Sequence, residues 1–125
     1  MTQSQENKND QEALTKALID IAAESWRFGQ SVERLMQKLD AGEQKQHRGQ
    51  LQWFRKTVEA ALTTLDLRIV NVEGQSFDPG MAATPVNIGD FKPSDTLVVD
   101  RMLEPIMMGP KGLVRSGTVI LRRVN

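Results

Sequence analysis

His47 is the chain's one histidine, and it lies in the polar stretch EQKQHRGQ. With no cysteine and no second imidazole, neither a thiolate–imidazole pair nor a nitrogen- and sulfur-rich metal site can be built. The histidine therefore reads as a solvated side chain. The segment GPKGLVRSG has the glycines of a phosphate loop. It lacks the Gly-Lys-Ser/Thr ending, however, and runs into a strand where such a loop opens a helix. Asp78, Asp90, Asp95 and Asp100 could pair as general acid and base, yet they stand near turn residues, where aspartate accepts hydrogen bonds from the backbone. No catalytic set, cofactor or metal is expected. What remains is NVEGQSFDPGMAATP, residues 71–85, a strand-like run followed by dense turn punctuation next to nothing reactive. Such a turn can shape a contact surface as readily as a pocket.

The elements that position these residues divide the chain in two. At 125 residues it supports one domain, or a small domain with an extended helical part. The formal net charge is zero, so no global field draws nucleic acid or an anionic membrane. No apolar run resembles a signal peptide or a membrane span, and a cytosolic location is the expectation.

Residues 1–8 are polar and are expected to be mobile. Asn9 and Glu12 have capping-box spacing, which places a helix start there. Leu14, Leu18, Ile21, Ser25, Phe28, Val32, Leu35 and Leu39 follow at alternating steps of four and three, a heptad seam. Ile19, Ala22, Trp26, Gly29 and Met36 widen this face beyond the needs of a two-stranded coil. Asp40-Ala41-Gly42 offers a glycine to end the helix. Leu51, Phe54, Val58, Ala61 and Leu65 mark a second helix, with Leu62 beside them. Two such helices form an antiparallel hairpin whose faces are too broad for one neighbour. A homodimer in which two hairpins build a four-helix bundle satisfies both. Its seam is expected to hold Leu14, Leu18, Ile21, Phe28, Val32, Leu35, Phe54 and Val58, with Trp26 and Trp53 as bundle or interface residues.

After Asp66 the period changes. LRIVNV, TLVVDRML and LVRSGTVILRRV read as strands, and MGPKG supplies a reversal between the last two, longer than a two-residue loop. All five prolines fall in this part. The fold class is thus α+β: a helical dimerisation region over residues 9–66, then a small antiparallel β-domain over 67–125. Lys111, Arg115, Arg122 and Arg123 cluster near the end. Four charges with no aromatic residue after Phe91 make a poor nucleic-acid surface, which leaves a solvated strand end or a contact for a protein.

In this order, a dimerising hairpin, an FDP turn at Phe77–Pro79, KPSDTLVV and LVRSGTVIL resemble the GrpE family of nucleotide exchange factors, over residues 14 to 124. The resemblance implies a partner, the ATPase domain of a DnaK-type chaperone, whose nucleotide cleft the β-domain holds open so that ADP leaves. It implies no enzyme activity of the chain's own. It also implies partner contacts at Phe77, Asp78, Pro79, Met102, Arg115 and Leu121. Read from their own chemistry, Met102, Leu121 and Phe77 could equally be core, Pro79 fixes the turn, and Arg115 could pin the sheet through a carboxylate such as Asp78. The chain departs from the family pattern at Ala82, where a histidine is usual, at Pro105-Ile106 in place of Gly-Tyr, at MMGPKG, and in its short N-terminal helix. These departures motivate an alternative, a dimeric adaptor of the same architecture without exchange activity.

Overall fold

A computed structural model describes residues 2–124. Two compact units divide the chain, Met1–Leu65 and Asp66–Asn125. The first holds helices α1 (Thr2–Met36) and α2 (Ala41–Thr63); the second holds six short strands. The architecture is α+β. No helix among the described residues is long and apolar enough to cross a membrane.

α1 starts seven residues earlier than the Asn9 cap implies, so the expected mobile segment is helical from Thr2. Met1 lies outside the described residues. The reason is local: Gln3, Gln5, Glu6 and Lys8 are good helix formers, and no breaker separates them from the apolar seam. The helix also stops earlier than expected. Lys38 and Leu39 donate N–H bonds to Leu35 and Met36 in a tight turn, and Asp40 belongs to the next helix. Its carboxylate accepts the Glu43 N–H at 2.9 Å and caps α2, leaving Gly42 in that helix's first turn.

Where the helices meet, α1 contributes small side chains. Ala22, Ala23 and Gly29 are buried with Met36, as is Leu51 on α2. Gly29 leaves room for Arg55, whose Nε would stand 3.2 Å from an added Cβ. Arg55 can then reach Gln30 (2.9 Å) and Glu33 (3.0 Å), while Arg48 takes the other Glu33 oxygen at 2.7 Å. One carboxylate thereby clamps two turns of α2. The Arg48 hydrogen bond is the largest influence on Glu33 and holds its carboxyl below the ordinary value. Partial burial opposes this, and the Arg55 bond with both positive charges reinforces it.

In the second unit, β1 (Arg68–Val70), β4 (Ile106–Gly109) and β5 (Gly112–Arg115) form one sheet in the order β1-β4-β5. β2 (Ala83–Pro85), β6 (Gly117–Arg123) and β3 (Leu97–Glu104) form another in the order β2-β6-β3. β2 runs parallel to β6, so the second sheet is mixed where an antiparallel domain was expected. The stretch LVRSGTVILRRV is two strands, broken at Ser116 and shared between the sheets. MMGPKG likewise holds the last three residues of β4 and the first of β5, and it closes on Pro110-Lys111, a two-residue loop between paired Gly109 and Gly112. The φ of +117° at Gly112 is a conformation that glycine adopts without steric cost.

The chain changes sheets in the long connection between β1 and β2 and again at two short connections. β3 passes into β4 through Pro105, which has no N–H to continue a ladder, and β5 passes into β6 through Ser116. The two short crossings touch each other. A Cβ on Gly117 would stand 2.8 Å from Ile106 Cγ1 and 2.9 Å from the Glu104 carbonyl oxygen. Around them lie the buried side chains of both sheets, Val99, Met102, Val119 and Leu121 from one and Ile106 and Met107 from the other.

Two predictions follow from these contacts. Gly117→Ala should destabilise the β-unit by about 1–3 kcal/mol, because backbone as well as side chain must move; a lower urea midpoint in the β-sheet circular dichroism signal is the readout. For Glu33, a depressed carboxyl contributes stability at and above the usual carboxylate range, and that contribution disappears as pH falls through the lowered value. Acid titration of wild type followed by helical signal should therefore show a loss below the ordinary glutamate range. Glu33→Gln should be less stable at neutral pH and should lack that step.

Candidate functional site

The FDP turn is the start of a longer fixed edge. Phe77 N–H donates to the Leu97 carbonyl at 2.9 Å, tying the turn to the beginning of β3. Asp78 then bonds forward twice: its carboxylate accepts the Gly80 N–H at 2.9 Å, and its carbonyl accepts the Met81 N–H at 2.9 Å. An aspartate turn over proline's fixed φ is a stiff unit. Asp78, Pro79 and Gly80 are exposed, and Phe77 and Met81 are half-buried.

From the turn the chain enters β2. The Ala82 carbonyl accepts from Gly117 N–H, and Val86 N–H donates to Val119. Beyond Val86 a side chain continues the ladder. Asn87 donates its amide to the Leu121 carbonyl at 2.9 Å and accepts the Leu121 N–H at 2.9 Å. On either side of this clamp Val86 and Ile88 are 58% and 49% exposed, and a single 3-10 turn, Ile88–Asp90, carries the chain away. β2 lies at the edge of its sheet, and Pro85 removes one donor from it, which discourages pairing with another strand. The result is an edge held from residue 77 to 88, presenting a polar turn at one end and two aliphatic side chains at the other.

Of the expected contact residues, Phe77, Asp78 and Pro79 lie on this edge, while the side chains of Met102 and Leu121 do not. Met102 is 1% exposed and Leu121 2%, so neither side chain reaches the surface. Met102 is turned inward by a bulge: the β3–β6 register shifts between Val99 and Arg101, and two residues three apart then share the buried face. Its sulfur accepts the Val72 N–H at 3.3 Å. Leu121 follows the simple alternation Gly117, Val119, Leu121 on β6, all buried. Its backbone holds the Asn87 clamp. Arg115 is half-buried and lies 3.9 Å from the Glu104 carboxylate. Arg122 and Arg123 lie 3.3 Å from Asp100 on β3 and 3.9 Å from Asp95 just before it, so each of these two arginines has a carboxylate beside it. Val86, Asn87 and Ile88 are not among the expected contact residues, although two β-branched residues flanking an asparagine after a strand are a usable signal.

In the helical unit, Leu14, Ile21, Phe28 and Leu35 are 71%, 64%, 64% and 61% exposed. Leu18, Val32 and Val58 are half-buried, and Phe54 is 39% exposed. The stripe borders the groove between the helices, where Phe28 and Leu35 line a cavity with Leu51 and Phe54 of α2. Among the described residues no cluster of three or more histidine, cysteine, aspartate or glutamate side chains could hold a metal ion. Comparison of the chain with known protein families, with characterised proteins and with solved structures finds no match.

Replacing Asn87 by alanine should strand the Leu121 N–H and carbonyl together. The expected cost is about 1–3 kcal/mol, with faster hydrogen exchange at the Leu121 and Val86 amides and unchanged helical signal. Protection at both amides equal to wild type would show that the clamp does not hold the edge.

Proposed function

We propose that this chain is a GrpE-like recognition protein: its helices associate two copies, and its β-unit engages the ATPase domain of a DnaK-type chaperone and speeds ADP release. The observation that carries the reading is the fixed edge from Phe77 to Ile88. Exchange by differential binding requires a surface that fits the open form of a nucleotide cleft better than the closed form. A pre-organised surface loses little entropy on docking, and no reactive group is called for. The contact is reassigned accordingly, from Met102 and Leu121 to Asp78, Pro79, Val86 and Ile88. The exposed stripe on α1 supports pairing of hairpins into a four-helix bundle, because apolar stripes of that extent mark interaction sites.

A second reading is a dimeric adaptor that binds without promoting exchange. Burial of the Met102 and Leu121 side chains favours it, as does Ala82 at the position of the family's histidine.

Stopped-flow release of labelled ADP from DnaK-type chaperones of the same cell separates the two. Exchange activity should appear as faster release with wild type, and Val86→Glu with Ile88→Glu should weaken chaperone binding by more than about 1 kcal/mol, roughly fivefold or greater. Binding with unaltered release would select the adaptor. No binding to any such chaperone would remove both.

A further inference from the structure

We infer that the contact surface continues from β2 across the outer face of its sheet to Arg101, and that Arg101 selects a partner surface bearing a carboxylate beside aliphatic side chains. This rests on the chaperone reading proposed above and adds the chemistry of the partner to it. The strand register places the residues. On β6, Val119 and Leu121 are buried, and Ile120 between them turns to the outer face. Arg101 on β3 stands opposite Ile120. On the other side, Pro85 of β2 is opposite Val119, and the Val86 N–H donates to the Val119 carbonyl. Val86 therefore reaches the level of Ile120. Thr84 and Val86 are exposed where Ala83 and Pro85 are half-buried, the alternation of a strand with one covered face. Val86, Ile120 and Arg101 thus form one row across three strands, about 10 Å from end to end.

Charge separates Arg101 from its neighbours. Towards the end of β6, Arg122 lies 3.3 Å from Asp100. In the other direction, Thr118 donates to a Glu104 oxygen at 3.3 Å, and Arg115 stands 3.9 Å from the same oxygen. Arg101 has no carboxylate at ion-pair distance among the described residues, and its Nε is buried there without a hydrogen-bond partner. The residue as a whole is half-buried, so its charge is presented at the Nη end of a guanidinium partly withdrawn from water. A cation in that setting attracts an anion more strongly than a hydrated one does. A carboxylate also matches the directions of guanidinium N–H donors.

A protein surface with one carboxylate flanked by apolar groups is the occupant that complements this row. Val86 and Ile120 offer an aliphatic pair at one end, and Arg101 offers one uncompensated cation at the other. Nucleic acid is a poor match, because a phosphate chain is held by several cations, and Arg115 and Arg122 already have carboxylates beside them. No aromatic residue after Phe91 is present to stack on bases. Within the chaperone contact the two roles divide. The aliphatic pair supplies area removed from water, and Arg101 supplies discrimination. A partner face with lysine or arginine at this point is repelled, and a wholly apolar one leaves the guanidinium dry and unbonded.

The test is titration of the full chain into a DnaK-type chaperone of the same cell at about 0.05 M and about 0.3 M salt. Arg101→Gln removes the charge and should weaken binding about tenfold at low salt, with much of the salt dependence lost. Arg101→Glu should weaken it about 100-fold, and Arg101→Lys should keep the salt dependence. Asp100→Asn, at an exposed position, releases Arg122 and should tighten binding about threefold at low salt. Thermal melts equal to wild type separate these effects from lost folding. A wild type that binds no such chaperone overturns the chaperone reading and this inference with it. Wild-type affinity in Arg101→Gln and Arg101→Glu overturns this inference alone, as does a loss that is equal at both salt concentrations. Tighter binding by Arg101→Glu means that the partner presents a cation and overturns the carboxylate. A free Arg101→Glu protein that sediments differently while binding the chaperone normally assigns the row to a contact between copies, which overturns it too. Should the Arg101 variants fail to fold, an Asp100→Asn protein with unchanged low-salt affinity still overturns the inference.

Discussion

The β-unit is organised by a single close approach. At Gly117 the strand leaving one sheet lies directly against the Glu104 carbonyl and Ile106, where the other connection changes sheets, and an added carbon would sit under 3 Å from both. Because the crossings touch, β6 can take β3 on one side and the distant β2 on the other, while β4 and β5 turn away to pair with β1 in the other sheet. Buried Pro105 is the complementary device: it ends the β3 ladder at the residue where continued pairing would prevent the change of sheet. A module of about sixty residues has little core to spend on irregular connections. Here the connections themselves are part of the core.

The fixed edge depends on this arrangement. β2 is only three residues long and would be a weak strand alone. Its parallel pairing to β6, extended past its end by the Asn87 side chain, makes the loop after it as constrained as the strand. The aspartate turn before it is held to the start of β3. Rigidity at both ends of a short strand comes from hydrogen bonds to two different neighbours. That is a reasonable basis for recognition by shape, since surface ordered in advance need not be ordered on binding.

The helical unit solves a different problem. Its two helices approach through small residues and are clamped by one carboxylate shared between two arginines. Bridges between partly exposed groups stabilise modestly, so the clamp sets register more than it supplies energy. Using the alanine and glycine side of α1 for α2 leaves the leucine, isoleucine and phenylalanine side uncovered. An isolated hairpin would gain more by the opposite choice. The arrangement has a physical rationale if the larger face is held for association.

Much of this was legible in the chain itself. The switch from a period near 3.6 to a period of two, the heptad spacing of the stripe and the Phe-Asp-Pro turn follow from residue types a few positions apart, and local sterics and hydrogen bonding are enough to read them. Leu121 could have been placed inside from alternation alone. Met102 could not, because the bulge that turns it inward depends on β6 pairing across the sheet. The helical start at Thr2 carries no apolar signal, because polar side chains suit an exposed helix well. The β4 and β5 boundaries, the parallel β2–β6 pair and the Asn87 clamp join residues as many as 34 apart in sequence. The amino-acid sequence by itself determined which segments are helical or extended and which faces are apolar. Only the tertiary structure decided which of those faces are covered and which side chains reach the surface, because burial depends on what the chain brings back from a distance.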